Sequence, residues 1–393
     1  MSEVATDAGI TAAAGFRAAG VAAGIKTSGA KDLALVVNDG PNQCAAGVFT
    51  TNVIKAAPVL WSRQVLDGGK LHAVVLNSGG ANACTGPAGF QDTHATAEHV
   101  AARLGVGAIE VAVCSTGLIG ELLPMPAVRG GIDAAHEALA ADAAAGRAAA
   151  TAVLTTDSRP KQAHLRHTDG WSIGGFVKGA GMLAPNLATM LCVLGTDADL
   201  EHRQLDSALR SVTRLTFDRL DVDGGTSTND TVLLLSSGRS GMVPELAEFT
   251  AALRAVCGSL VLQLLGDAEG ATKEITLTVR GARSEDDAVR IGRTVAEDNL
   301  VKTAIFGNDP NWGRIAMALG RARADIDPQS VEIIVNGTTL YAAGASAADR
   351  SAVDLAPRVV DIVIDLHLAD AQATVLTTDL SHGYVEENSA YSS

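Results

Sequence analysis

Ten short segments rich in Val, Ile and Leu, at 33–37, 73–76, 111–114, 172–177, 190–194, 232–235, 275–279, 331–335, 362–366 and 373–376, have Gly, Asn or Asp at their boundaries. Their brevity and residue types favour strands over helices. Between them run helical patterns, with apolar residues three and four apart, at 93–104, 127–144, 200–218, 245–265, 285–298 and 312–323. Ser284, with Asp287 three positions on, makes a capping arrangement for one of these helices. The alternation restricts the chain to an α/β or α+β fold with strands enough for two sheets. No fixed-period repeat interrupts it. The Ala-rich stretch 134–150 reads either as a surface helix, because alanine is a strong helix former, or as a mobile excursion.

A chain of 393 residues with 47% hydrophobic and 19% charged residues buries a large core. The net charge of −14, with no cluster of Lys and Arg, excludes nucleic acid and anionic membranes as partners. Small molecules and further copies of the chain remain. Cys44, Cys84, Cys114, Cys192 and Cys257 are widely spaced without a C-x-x-C pair, and read as buried thiols in a reducing compartment. Glu3 and Asp7 stand where a signal peptide has its basic region, and no apolar run approaches the roughly 18 residues of a membrane span. The expectation is a soluble, cytoplasmic protein. His164 with His167 and His94 with His99 lack H-E-x-x-H context, so no metal site is expected.

The stretch 178–194, KGAGMLAPNLATMLCVL, carries the chemistry. On local grounds Thr189 is a β-branched residue opening a strand after a Pro–Asn turn. A second reading makes it a nucleophile. A threonine hydroxyl needs activation, and its own α-amine can supply that if the chain is cut between Ala188 and Thr189. The Thr189 hydroxyl would attack the Ala188 carbonyl to give an ester that water splits. The freed amine, with a reference pKa of about 7.7–8, keeps a substantial neutral fraction as base at physiological pH. Gly179-x-Gly181-x-x-Ala184 imitates a dinucleotide fingerprint, yet Pro185 and a strand follow where a helix should open. Thr116 and Gly117, in CSTGLIGE at 114–121, leave a strand together; a hydroxyl and a backbone N–H there could face an oxyanion, or mark a simple turn. Glu269 and Lys178 taken singly read as solvated charges.

These pieces, in this order, resemble the ornithine acetyltransferase (glutamate N-acetyltransferase) family of arginine biosynthesis. The resemblance rests on KTSGAKDLALV (26–36), AAGVFTTN (45–52), VLNSGGANACTG (75–86), CSTGLIGE, VKGAGMLAPNLATML, DGGTSTNDTVLLL (223–235), GDAEGATK (266–273), FGNDPNWGRI (306–315) and DLSHGYVEENSAYSS (379–393). It implies an αββα sandwich similar to N-terminal-nucleophile hydrolases but differently connected. It also implies autocleavage into an α chain, 1–188, and a β chain, 189–393, assembling as two α and two β subunits. By the same resemblance Thr189 is the nucleophile, Thr116 and Gly117 form the oxyanion hole, and Thr155, Lys178, Thr189, Glu269, Asn388 and Ser393 bind substrate. The implied reaction moves the acetyl group of N2-acetyl-L-ornithine to L-glutamate through an acetyl-Thr189 intermediate. No metal or organic cofactor is expected, and acetyl-CoA as a second donor is left open. Glu386 and Glu387 depart from the basic or apolar residues common in relatives, which bears on fine substrate preference. The rival reading keeps the nucleophile but gives the acyl group to water, as an aminopeptidase or amidase does.

Overall fold

A computed structural model describes residues 3–184 and 190–390. In chain order they form β1 (Phe16–Val21), β2 (Leu33–Asn38), β3 (Ala45–Phe49), α1 (Ala57–Leu66), β4 (Ala73–Gly80), α2 (Gly86–Leu104), β5 (Val111–Leu118), α3 (Met125–Glu137), α4 (Ala143–Ala152), β6 (Lys161–Arg166), β7 (Ser172–Lys178) and β8 (Leu191–Thr196). There follow α5 (His202–Leu215), β9 (Thr231–Ser236), α6 (Leu246–Gly266), β10 (Glu274–Ala282), α7 (Glu285–Ala296), α8 (Asn299–Phe306) and α9 (Trp312–Leu319). The chain ends with β11 (Glu332–Val335), β12 (Thr338–Ala342), β13 (Ala345–Ser346), β14 (Val359–Asp365), β15 (Ala371–Thr378) and α10 (His382–Ala390).

Two sheets, ordered β1-β2-β4-β5 and β3-β9-β8-β7-β6, form the middle of an αββα sandwich. Phe176, Leu191, Val193, Leu233 and Leu235 of the second sheet join the core built on β2, β4 and β5. Helices α1 to α4 pack on the first sheet, and α5 and α6 on the second. β2, β8 and β9 are buried at every position, which is why they read as continuous apolar runs and not as alternating ones. Both parallel pairs in the sandwich, β4 with β5 and β8 with β9, are joined through a helix, α2 and α5 respectively.

Where two sheets were expected there are three. The segments of 275–376 pair with one another, in the order β13-β12-β11-β14-β10-β15, around a separate core with α7 and α9. Burial alternates along β10 and β14, as it does when helices cover one face only. Ser284 caps α7 as expected, its hydroxyl accepting from Asp287 N at 3.1 Å. β1, β3 and β6 escape the pattern because FRAAGV, AAGVF and KQAHLR lack a β-branched run.

Small residues explain a second difference. The predicted helix over 127–144 breaks after Glu137, and Asp142 starts a new one by accepting from Ala145 N at 2.8 Å. The Ala-rich stretch is no excursion: Gly146, Ala149, Ala150 and Ala152 of α4 are buried and the helix lies on β1. The approach is so close that a Cβ on Gly20 would stand 2.0 Å from the Ala148 carbonyl oxygen. Backbone cannot yield as a side chain can. Gly20→Ala is therefore expected to cost stability at the upper end of about 1–3 kcal/mol, read as a lowered urea midpoint with an unchanged slope.

Two expectations are corrected. Cys114, Cys192 and Cys257 are buried, but Cys84 is exposed in the turn before α2, where its φ is +57°. Helix α6 is, by length and composition, apolar enough to cross a membrane. In this fold Phe249, Leu253, Val256, Cys257, Leu260 and Leu264 are buried in the second sheet's outer core, beside α5, β6 and β7. Its second apolar side, including the half-exposed Leu262, made the run longer than a one-sided pattern predicts.

Candidate active site

The ends of β5 and β7 and the starts of β8 and β9 meet at one rim of the sandwich. Antiparallel pairing sets Lys178, the last residue of β7, beside Leu191 of β8, and parallel pairing sets Leu191 beside Thr231 of β9. Asn229, just before β9, ties the two sheets together: its amide donates to the carbonyls of Ala81 (2.7 Å) and Ser115 (2.8 Å). A cavity of about 210 Å³ opens there, lined by Thr116, Gly117, Ile119, Thr155, Thr156, Lys178, Gly181, Met182, Glu269 and Asn388. Drug-sized pockets run to roughly 300–1,000 Å³. This one has the scale of an amino-acid derivative.

Six residues singled out in the sequence, Thr116, Gly117, Thr155, Lys178, Glu269 and Asn388, thus share one cavity. Ala188, Thr189 and Ser393 lie outside the described residues. Thr116 and Gly117 belong to the last residues of strand β5 and not to a loop beyond it. Gly117 has φ +125°, and a Cβ would stand 2.6 Å from the backbone of Gly79 and Gly80, so only glycine permits this bend. The β4/β5 register shifts at the same place.

Lys178 is no solvated charge. Its side chain is 1% exposed, and its ammonium donates to the Thr155 hydroxyl at 2.8 Å and the Thr116 hydroxyl at 3.4 Å. Burial pulls its pKa down, Asp157 pulls it up and Lys161 pulls it down again, with Glu269 and Asp230 adding smaller upward pulls. The net direction is downward. Asp230 is itself buried, and its carboxyl is pushed well above the usual range by burial, against the Met190 N–H and the charge of Lys178.

Glu269 faces Lys178 across the cavity. Its N–H donates to Ala180 O at 3.0 Å. One carboxylate oxygen accepts from the Thr156 hydroxyl at 2.6 Å and the other from the Asn388 amide at 2.9 Å. A Cβ on Gly181 would meet that carboxylate at 2.1 Å, so this glycine leaves room for the charge. Asn388 comes from α10, whose start is fixed where Ser381 donates to Gly270 O and Tyr384 O–H donates to Asp223 at 3.3 Å. Asp223 in turn accepts from Met182 N (2.7 Å) and Leu183 N (3.0 Å), holding the turn in which Met182 has φ +54°.

Sequence reading missed Thr156, Ile119, Met182 and the carboxylate of Asp157. Thr156 and Asp157 stand beside Thr155 in LTTDS, and Lys161 follows Asp157 at a spacing of four, the only signal available. The site lies at a sheet–sheet rim, so no single segment spells it. Among the described residues, His167, Asp169 and Glu248 bring three donor atoms within 4.8 Å, at the surface. His167 instead stacks on Trp171, with ring centroids 4.5 Å apart.

Comparison with known proteins gives a consistent picture. The ArgJ family model matches residues 17–393. The arginine biosynthesis bifunctional protein ArgJ of Mycolicibacterium paratuberculosis is 59% identical over 390 residues, covering 98% of this chain and 96% of that one. The protein of the same name from Streptomyces coelicolor is 58% identical over 384 residues, covering 98% and 100%. A solved structure of ornithine acetyltransferase complexed with ornithine, from Mycobacterium tuberculosis, shares 61% identity over 48% of this chain and all of that one, with a TM-score of 0.47.

Proposed function

The chain belongs to the ArgJ family, and from that premise we propose that it transfers the acetyl group of N2-acetyl-L-ornithine to L-glutamate in arginine biosynthesis. The observation that supports this most directly is the single cavity in which a buried lysine, two threonine hydroxyls, the β5 bend and a carboxylate face one another. Every one of these groups has a use in acyl transfer between amino acids.

In this reading the chain cuts itself between Ala188 and Thr189, and residues 1–188 and 189–393 become two subunits. The Thr189 amine takes the proton of its own hydroxyl, and the oxygen attacks the acetyl carbonyl of N-acetylornithine. Thr116 and the Gly117 N–H stabilise the tetrahedral oxyanion, which collapses by expelling ornithine's α-amine with the proton. Glutamate then enters. Its α-amine attacks the acetyl ester, the bond to Thr189 Oγ breaks, and N-acetylglutamate leaves. Lys178 serves both half-reactions, because both amino acids carry an α-carboxylate. Thr155, Asn388 and Ser393 complete the binding set, and Glu269 faces ornithine's side-chain ammonium. The subunits assemble as two α and two β in the cytoplasm. No metal or organic cofactor enters this scheme. Acetyl-CoA is the second donor to test, since relatives are called bifunctional.

The rival hydrolase differs only in its acceptor. With N-acetylornithine alone, the expected result is a burst of ornithine near one equivalent and an acetyl adduct on the fragment beginning at Thr189. Added glutamate should turn the burst into steady N-acetylglutamate formation. Sustained acetate release that glutamate neither suppresses nor redirects would overturn the transferase reading.

A further inference from the structure

A row of buried charges runs behind the cavity wall, and the scheme above uses only its front member. Lys161 donates to Asp157 Oδ1 at 2.7 Å and reaches Asp267 at 2.5 Å, while Lys178 stands 3.8 Å from Asp157 Oδ2. The side chains of Lys161 and Asp157 are 0% exposed. Burying such a row is costly unless each charge is answered. Asp157 answers the most. Besides the two ammonium groups it accepts from Gly179 N at 2.7 Å and from Thr155 N at 3.1 Å. Burial alone would raise this carboxyl, yet Lys178, Lys161 and the Gly179 N–H bring it down to about 2.

These partners have a pattern. Lys178 and Thr155 line the cavity and bond to each other, and Gly179 is the residue through which the chain leaves β7 immediately after Lys178. One carboxylate therefore fixes the backbone on both sides of the Lys178–Thr155 contact and stands 3.8 Å from the ammonium. We infer that Asp157 is a positioning residue for the acetyl-transfer site, acting through Lys178 and Thr155 to keep the lysine charged and aimed into the cavity, with Lys161 as its counter-charge. The task assigned to Lys178 rests on the function proposed above; its charge state does not.

The sign of the effect is fixed by who faces the ammonium. Asp157 and Glu269, and Asp230 when ionised, favour its charge; Lys161 and Lys26 oppose it. Neutralising Asp157 leaves Lys178 buried and opposite two cations, so its pKa falls and the protonated form is lost at lower pH. Neutralising Lys161 removes a repulsion and moves the titration the other way. Opposite displacements from neighbouring substitutions are not what loosened packing produces.

The test uses Asp157→Asn and Lys161→Met in the full, processed enzyme, each checked by thermal unfolding. The alkaline limb of kcat/KM is expected to move down by about one to three pH units in Asp157→Asn and up in Lys161→Met. The same two displacements are expected when the Lys178 side chain is followed directly by NMR of ε-13C lysine, assigned with Lys178→Met. Limbs and resonances that stay at the wild-type pH in both variants would overturn the inference. If Asp157→Asn does not fold, Lys161→Met decides alone. Should the wild type fail to transfer acetyl groups, the proposed function falls, while the NMR titrations still judge Asp157.

Discussion

Thr189→Ala is expected to remain one chain of 40.0 kDa and to show no acetyl transfer, however long it is stored. Substitution by alanine removes the only oxygen that the proposed self-cleavage can use, and with it the nucleophile of the transfer reaction. The described residues on either side are held firmly. Before the proposed cleavage site, Met182 N and Leu183 N are tied to Asp223 and Leu183 O accepts from Val222 N at 2.5 Å. After it, Met190 is buried, its N–H donates to Asp230 at 3.2 Å and its carbonyl accepts from Thr231 N at 3.1 Å. Those anchors do not involve the Thr189 hydroxyl, so the variant should fold, and its thermal unfolding should match an unprocessed wild-type sample. Thr189→Ser keeps a hydroxyl and should still be cut. Intact mass decides: fragments ending at Ala188 in Thr189→Ala would show that a protease makes the cut.

How far the sequence alone reaches depends on the range over which each feature is determined. β2, β8 and β9 were legible because burial on both faces makes a run of apolar residues that needs no knowledge of the partner strand. β1 was not, because its Ala and Gly are there to let α4 approach, a reason that exists only once Gly20 and Ala148 are known to meet. The third sheet was hidden for a related cause. Short strands declare themselves, whereas their grouping into sheets is a long-range choice, here the parallel pairing of β10 with β14.

The site divides in the same way. Local chemistry offered Thr116 and Gly117 as oxyanion donors beside the reading as a simple turn, whereas Thr155, Lys178, Glu269 and Asn388 came from a resemblance to a family, local chemistry having read Lys178 and Glu269 as solvated. What reverses that reading is tertiary: 1% exposure for Lys178, and a Gly181 whose missing Cβ admits the Glu269 carboxylate. Neither could be derived from neighbours in sequence.

Lys178→Met and Glu269→Gln should part company in a way that tests how one cavity serves two differently charged amino acids. In the function proposed above, the ammonium of Lys178 meets the α-carboxylate that N-acetylornithine and glutamate share. A hydrogen bond to a charged group contributes about 1.5–3 kcal/mol, so kcat/KM should fall by about 10- to 150-fold for both substrates. The fall should be larger still if the Thr116 hydroxyl, 3.4 Å from this ammonium, loses its orientation, since removing one oxyanion donor costs about 10²–10³ in kcat. In the same proposal Glu269 meets the side chain, where the two substrates differ in sign. Its neutralisation should raise the KM of N-acetylornithine by about tenfold, within the range for a lost charged hydrogen bond, and leave the KM of glutamate unchanged or lower. The Gln oxygen can still accept from the Asn388 amide, and the Thr156 hydroxyl can turn to accept from the Gln NH2, so the effect reads charge and not collapse. Initial rates with each substrate varied in turn measure both ratios. Parallel losses for the two substrates in Glu269→Gln, or a loss confined to one substrate in Lys178→Met, would overturn this assignment of the α-carboxylate and side-chain ends of the cavity.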